Sequence, residues 1–392
     1  MVEFEFWWIL VIPFFFGLGW IAARIDIKQI ISESTDFPAA YFKGVHYLIT
    51  NQYDKATDSF TDAVKANDNS METHFALGSL LRRTGQIDKA ISLHLELLEN
   101  REMSIGQQES VKAELAQDYF KAGLYDRSEE LLLSLTKDSY EQFKRNTLLE
   151  IYVTEREWKK AVSMAEQLEK IAGVSLRKEI SHYYCEMAVS MILSKNINDA
   201  SKFLLHAIDE HKNCVRANIL LGDIHESKGM IDEAVSYWRK IEYQKPEYLG
   251  LVASKIINSY QAQNKINEGL SILSRYYDLY NLKTLLNVLY EAVISNEGPK
   301  SAEKIARNEL IQRPSLLALD QLFQALAINK NTQIDNIELI QQTIKNSISI
   351  RRFYVCNSCG FKAKQFHWQC PACNSWESLP SEPKDVALDE IA

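Results

Sequence analysis

Four cysteines near the carboxyl end carry the clearest chemistry in this sequence. The stretch Phe353–Leu379 reads FYVCNSCGFKAKQFHWQCPACNSWESL, and Cys356, Cys359, Cys370 and Cys373 follow the spacing C-x2-C-x10-C-x2-C. A C-x2-C pair on a tight turn aims two thiolates at one ion, and two such turns complete a tetrahedral S4 site. Gly360 follows the first pair and Asn374 the second, where a positive φ closes each turn. Pro371 stiffens the second turn. The four cysteines are therefore the expected ligands of one iron or zinc ion, which this ligand set does not tell apart. All four thiolates are used in closing the site, so no coordination position is left for catalysis. The competing reading, a redox dithiol, fits badly because such motifs come singly in a thioredoxin-like context. His367 is a spare, not a fifth ligand. A module of under about 40 residues needs a metal staple to fold. Of its aromatic residues, Phe353, Tyr354, Phe361, Phe366, Trp368 and Trp376, some are expected to form its small core and some to dock on neighbouring elements.

The rest of the chain offers no comparable chemistry. No nucleophile stands next to a base, and no phosphate-cradling glycine loop or paired carboxylates stand out. His46, His74, His94, His182, His206, His211 and His225 are scattered and read as packing or surface positions. Cys185 and Cys214 lie in helical stretches and read as buried small apolar groups. Six cysteines in 392 residues are no disulfide framework, which places the chain in a reducing compartment. The net charge of −8 excludes a nucleic-acid partner, whose affinity would rest on Lys and Arg. Only 14 Gly and 8 Pro, with 46% apolar residues, leave few turns for a β-protein and predict an all-α chain.

The four cysteines must be carried by something, and a pattern precedes them. Val215–Pro246 reads as two short helices with a small residue (Gly222), a turn glycine (Gly229), a second small residue (Ala234), a bulky Trp238 and a closing Pro246. The small residue of the second helix recurs as Ala56, Ala90, Ser128, Ala161, Ala200, Ala234, Gly269 and Ala302, at intervals of 34, 38, 33, 39, 34, 35 and 33. Two longer intervals imply insertions near Arg101–Ser110 and Ile171–Arg177. A helical bundle would show helical periodicity without such a register. The series resembles the tetratricopeptide repeat, which implies a superhelical solenoid of about eight units over residues 38–314. The seventh and eighth copies depart from it at Ile257 and Tyr290. Such arrays offer an extended binding surface to other proteins. Residues 315–350 read as a degenerate repeat and capping helices, beginning at a Ser315 cap and including a stripe of Ile337, Ile340, Ile344 and Ile348.

At the amino end, Phe6–Ala23 is 18 residues without a charge. With Phe4 it reaches the length that crosses about 30 Å of hydrocarbon. Trp7, Trp8 and Trp20 sit near its ends, and Arg24 and Lys28 follow while no Lys or Arg precedes. The positive-inside rule predicts a single-pass transmembrane anchor over 1–24, with the amino terminus outside and the body in the cytoplasm. A cleaved signal peptide fits poorly, since the segment opens on Glu3 and Glu5. Residues 25–37 read as a linker, 351–379 as the metal module and 380–392 as a flexible acidic tail.

The two cysteine turns are similar to the knuckles of rubredoxins and zinc ribbons, although the ten-residue spacer and Asn374 depart from rubredoxin and make electron transfer a poor fit. Anchor, repeat array and four-cysteine module, in that order, resemble the lipopolysaccharide assembly protein B family of the bacterial inner membrane. That resemblance implies a non-enzymatic adaptor controlling lipopolysaccharide synthesis. Its implied partners are a membrane-anchored AAA+ protease and the lipid A pathway deacetylase that this protease degrades. The alternative is a scaffold gathering lipopolysaccharide synthesis and transport proteins at the membrane without a role in proteolysis. A homo-oligomer stays open in either reading. The metal ligands carry over onto Cys356, Cys359, Cys370 and Cys373; no array residue carries over.

Overall fold

The computed structural model describes residues 38–67, 70–99, 103–329 and 337–385. The expected anchor at 1–24 and linker at 25–37 lie outside them. Among the described residues no helix is long and apolar enough to cross a membrane. The described chain divides into two compact units, with the boundary inside the helix Trp158–Ala172.

The first unit is built from antiparallel helix pairs: Ala39–Ile49 with Tyr53–Ala66, Met71–Arg83 with Ile87–Glu99, and Ile105–Lys121 with Tyr125–Ser134, followed by Glu141–Thr154. Small residues set how closely each pair approaches. A Cβ at Gly44 would stand 3.1 Å from the Phe60 ring, and one at Gly78 would collide with the His94 imidazole. Ser128 occupies the small position of the third pair and satisfies its hydroxyl on the Ala116 carbonyl at 2.7 Å. His94 fills the bulky position usually given to an apolar residue, so its polarity must be answered. Its Nδ1 lies 2.5 Å from the Asp118 carboxylate. Asp118 also accepts from Arg82 at 2.6 Å, and Arg82 reaches Glu114 at 2.7 Å. His94 and Asp118 are wholly buried.

The second unit continues with Arg177–Leu193 and Ile197–Glu210, then Val215–Ser227 and Ile231–Arg239. A single 3-10 stretch, Pro246–Leu251, leads into Ala253–Ala262 and Ile266–Tyr280, and Lys283–Asn296 pairs with Pro299–Gln312. Gly222 admits the Trp238 indole, where a Cβ would clash, and Trp238 Nε1 donates to the Ile219 carbonyl at 3.3 Å. Leu316–Ile328 starts at a Ser315 cap, whose hydroxyl accepts from the Ala318 amide at 3.1 Å. Ile337–Arg351 packs on it and buries Ile344.

The two longer sequence intervals have a structural counterpart. The helices Ile105–Lys121 and Arg177–Leu193 are each 17 residues, against 13 for Met71–Arg83 and Val215–Ser227. The added residues lengthen the first helix of the pair by about a turn. The turn between the helices of each pair needs a left-handed residue. Gly85, Gly123 and Gly229 supply it, but so do Asn51, Arg156, Lys195 and Asn264, each five residues before the small residue of the second helix. In the last pair the position slips by one, to Gly298.

The chain ends in a three-stranded antiparallel sheet of order β2-β1-β3, where β1 is Arg352–Val355, β2 is Lys362–Ala363 and β3 is Lys384–Asp385. Tyr354 pairs with Ala363 and Phe353 with Lys384. Part of the segment read from the sequence as a flexible tail, residues 380–392, is thus paired with β1, and residues 386–392 lie outside the described residues. The edge of β1 has backbone donors and acceptors that β3 satisfies. Lys364 joins the sheet to the preceding helix, its ammonium donating to the carbonyls of Ser349 and Ile350 at 2.6 and 3.0 Å. A cation there meets the negative end of the helix dipole.

Two outcomes test this account. Asp118→Ala leaves the buried His94 without its acceptor and strips Arg82 of one of two carboxylates, at a cost of about 3 kcal/mol in denaturant unfolding. Lys195→Gly relieves a left-handed side chain and is expected to stabilise the fold by up to about 1 kcal/mol, since the αL penalty exceeds the entropy that glycine loses.

Candidate metal centre and its dock

Both cysteine turns use the same backbone bonds. The Cys356 amide donates to the Phe361 carbonyl and the Gly360 amide to the Cys356 carbonyl, each at 2.9 Å. Fourteen residues later the Cys370 amide donates to the Ser375 carbonyl and the Asn374 amide to the Cys370 carbonyl, again at 2.9 Å. Gly360 at φ 75° and Asn374 at φ 57° are the left-handed residues that make this possible. The four sulfurs all lie within 4.8 Å of one another, with Cys356 and Cys373 at 3.8 Å and Cys359 and Cys370 at 3.7 Å. A tetrahedral ion with metal–sulfur bonds of about 2.3 Å sets its ligands about 3.8 Å apart, so the donor set fits such an ion without rearrangement. His367 does not join the cluster.

Polar neighbours favour thiolate over thiol. Ser378 Oγ lies 3.3 Å from Cys356 Sγ, the Ser358 amide donates to the same sulfur at 3.4 Å, and Ser375 Oγ stands 3.4 Å from Cys373. Burial opposes ionisation of Cys356, yet these hydrogen bonds outweigh it and bring its pKa down to about 6. Cys359 is favoured by the Phe361 amide, but burial and the other sulfurs push it up to about 12. Four thiols in one small volume cannot all ionise alone, and a cation would remove that conflict.

The second knuckle leads directly into a dock on the helix pairs of the same unit. Trp376, 4% exposed, stacks on the His182 imidazole at 4.6 Å and 11°. Tyr183 meets its edge at 6.1 Å, and the Arg216 guanidinium lies 5.9 Å from its ring. Glu377 follows at φ 52°, a left-handed conformation unusual for its residue type. Its carboxylate accepts from His182 Nε2 at 3.1 Å and forms a very short ion pair with Lys245. Burial works against this carboxylate, but the hydrogen bonds from His182 and Lys245 prevail and hold its pKa down at about 2. Burial likewise lowers the His182 pKa, with Glu377 acting the other way. The imidazole is thus neutral and carries its proton on Nε2, since an ionised carboxylate can only accept.

Further contacts extend the dock along the chain. Trp368 stacks on Tyr248 at 5.4 Å and 22°, and Phe366 meets Trp368 edge-on at 5.0 Å. Glu382 accepts from the Thr284 amide and hydroxyl, both at 2.7 Å, and so caps the helix Lys283–Asn296. Of the module's aromatic residues, Trp368, Trp376 and Phe366 face the array, while Tyr354 and Phe366 pack in the module's own core. His182, Lys245 and Glu377 form a buried link between module and array that the sequence does not announce. Glu377 is 195 residues from His182, and no local pattern joins them.

Residues 354–380 match the family described as rubredoxin metal binding domain, and residues 43–102 and 215–248 match tetratricopeptide repeats. Among curated proteins, lipopolysaccharide assembly protein B of Escherichia coli strain K12 is 28% identical over 374 residues, spanning 94% of this chain and 96% of its own. The Haemophilus influenzae protein of the same name is 28% identical over 400 residues, covering 97% and 98%. Over nearly its whole length, this chain is similar to lipopolysaccharide assembly protein B. A solved tetratricopeptide repeat protein from Parabacteroides merdae ATCC 43184 covers 65% of this chain and 97% of its own, at 13% identity and a TM-score of 0.33. The match to the rubredoxin metal binding domain includes the four cysteines, Trp376 and Glu377.

The dock has a defined pH response. Glu377 has a folded pKa below its ordinary 4.5, so its contribution is complete above 4.5 and is lost as pH falls towards about 2. His182 has a folded pKa below its ordinary 6.5, so the unfolded state takes up a proton first and stability erodes as pH drops below 6.5. Lys178, Arg216 and Lys245 surround the pair and oppose a charged imidazole. Protection factors at the Trp376 and Glu377 amides, taken against the intrinsic exchange rate at each pH, are expected to fall from pH 6.5 downward, while a Glu377→Ala chain shows low protection across the same range.

Proposed function

We propose that this protein is a non-enzymatic adaptor of the bacterial inner membrane that regulates lipopolysaccharide synthesis. In this reading it presents the lipid A pathway deacetylase to a membrane-anchored AAA+ protease. The observation that carries it is the collinear similarity to lipopolysaccharide assembly protein B over 94% of the chain, through repeats and cysteine module alike. Physical features support the same reading. Stacked helix pairs supply surface for holding another protein, with no catalytic constellation in the described residues. An apolar segment at Phe6–Ala23, read as a single-pass anchor, would confine that surface to the membrane and raise its effective concentration near other membrane proteins.

Cys356, Cys359, Cys370 and Cys373 hold one iron or zinc ion in this reading. When bound, the ion neutralises the crowded thiolates and fixes both knuckles. The chain's own residues do the rest: Asn374 turns the backbone, Trp376 stacks on His182, and Glu377 ties the module to Lys245. The metal centre thus shapes the adaptor and takes no part in chemistry on a substrate.

The experiment is complementation. In a strain depleted of this protein the deacetylase is expected to persist, with its half-life lengthened several-fold, and the wild-type gene restores turnover. Cys356→Ser is expected to lower bound metal from one ion per chain towards none and to leave the deacetylase stable, with the protein still in the membrane fraction. A chain that loses its metal yet restores turnover would sink the role given to the metal centre. An unchanged deacetylase half-life on depletion would sink the adaptor reading and favour a scaffold without a role in proteolysis.

A further inference from the structure

Four of the six cysteines form the metal centre, and the remaining two meet each other. Cys185 and Cys214 are 29 residues apart in sequence, yet their sulfurs lie 3.8 Å apart, in van der Waals contact. Both are completely buried, in an apolar cluster with Ala188, Ala217 and Leu221. Cys185 belongs to the helix Arg177–Leu193, and Cys214 is the residue that begins Val215–Ser227. The pair sits beside the dock. His182 stands three residues before Cys185 and Arg216 two residues after Cys214, and both face Trp376.

We propose that Cys185 and Cys214 are a dithiol redox site, oxidised to a disulfide by a hydroperoxide when the cysteine module lifts from the two helices that carry them. Closing the bond brings the sulfurs from contact distance to about 2.05 Å. Cys214 is the attacking thiol. It stands at a helix N-terminus, where the exposed amides favour a thiolate. The Cys185 thiol hydrogen-bonds to it and lowers its pKa, while burial pushes Cys185 up.

The chemistry balances with one peroxide. Cys214 thiolate attacks a peroxide oxygen, the O–O bond breaks, and the leaving hydroxide takes a proton to become water. The product is Cys214 sulfenic acid. Cys185 sulfur then attacks the sulfenic sulfur and gives up its proton; the S–O bond breaks and a second water leaves as the S–S bond forms. Two thiols lose two electrons and two protons, and one peroxide becomes two waters. The sulfurs have no exposure in the closed state, so the reaction runs through opening. Lys178, His182 and Tyr183 on one helix and Arg216 on the other are the residues that the module holds down.

The test uses the full chain loaded with metal and exposed to hydrogen peroxide, followed by alkylation and non-reducing peptide mass spectrometry. The expected product is a cross-linked peptide pair joining Cys185 to Cys214, lighter by two hydrogens and absent from Cys185→Ser. Glu377→Gln, which loosens the dock and leaves every cysteine in place, is expected to form the cross-link at least about tenfold faster, as protection by local opening requires. Lys245→Gln weakens the same ion pair from the array side and should accelerate it likewise, which covers the case of a misfolded Glu377→Gln chain. Oxidation confined to the metal-centre cysteines, or a cross-link from Cys214 to one of them, overturns the proposal. Equal rates in the wild type and both dock variants overturn the cover.

Discussion

One buried carboxylate ties the cysteine module to the helix pairs of the second unit. Glu377 belongs to a module with only a small core of its own, and it is held in a left-handed backbone conformation that a glutamate adopts only at a cost. The pairing with His182 and Lys245 offsets that cost and the desolvation of the charge. Removing any of the three leaves a buried ionised or polar group without its partner, which is far worse than never having buried one. The dock is thus a single set of mutually dependent groups, with the Trp376–His182 stack sealing it from water.

The metal centre and the dock lie on one short stretch of chain. Cys373 is a ligand candidate, Asn374 turns the backbone, and three residues later Glu377 reaches the array. Where the second knuckle points therefore decides where Trp376 and Glu377 arrive. A knuckle with a bound ion has one conformation, and one without has many. The array, for its part, presents a prepared surface: the lengthened helix Arg177–Leu193 carries Lys178 and His182 forward to meet the module.

The sequence made some of this legible and hid the rest for physical reasons. The ligand cluster could be read directly because its spacing is local and its residue type is rare. The helical array was readable through its small residues, since Ala56, Ala90 and Ala200 must all be buried where two helices touch, and all are. The turns were only half visible: glycine marks them at Gly85, Gly123 and Gly229, but Arg156 and Lys195 take the same left-handed backbone without any mark in the sequence. His182 looks in the sequence like the other scattered histidines, because its partner lies 195 residues away and only folding joins them. The segment after Leu379 reads by composition as a flexible acidic tail. Glu382 and β3 show that its acids and backbone had specific partners waiting, on Thr284 and on β1.

The cap that Glu382 places on Thr284 has a consequence for how this unit comes apart. A stack of helix pairs is close to a one-dimensional lattice, where each repeat feels only its neighbours and the ends fray independently. Here one small module touches His182, Arg216, Tyr248 and Thr284, which span four successive pairs. It adds couplings between repeats that do not otherwise meet. The four pairs then behave less like beads on a string and more like a block with a common melting event, in which a far-end contact is felt at the near end.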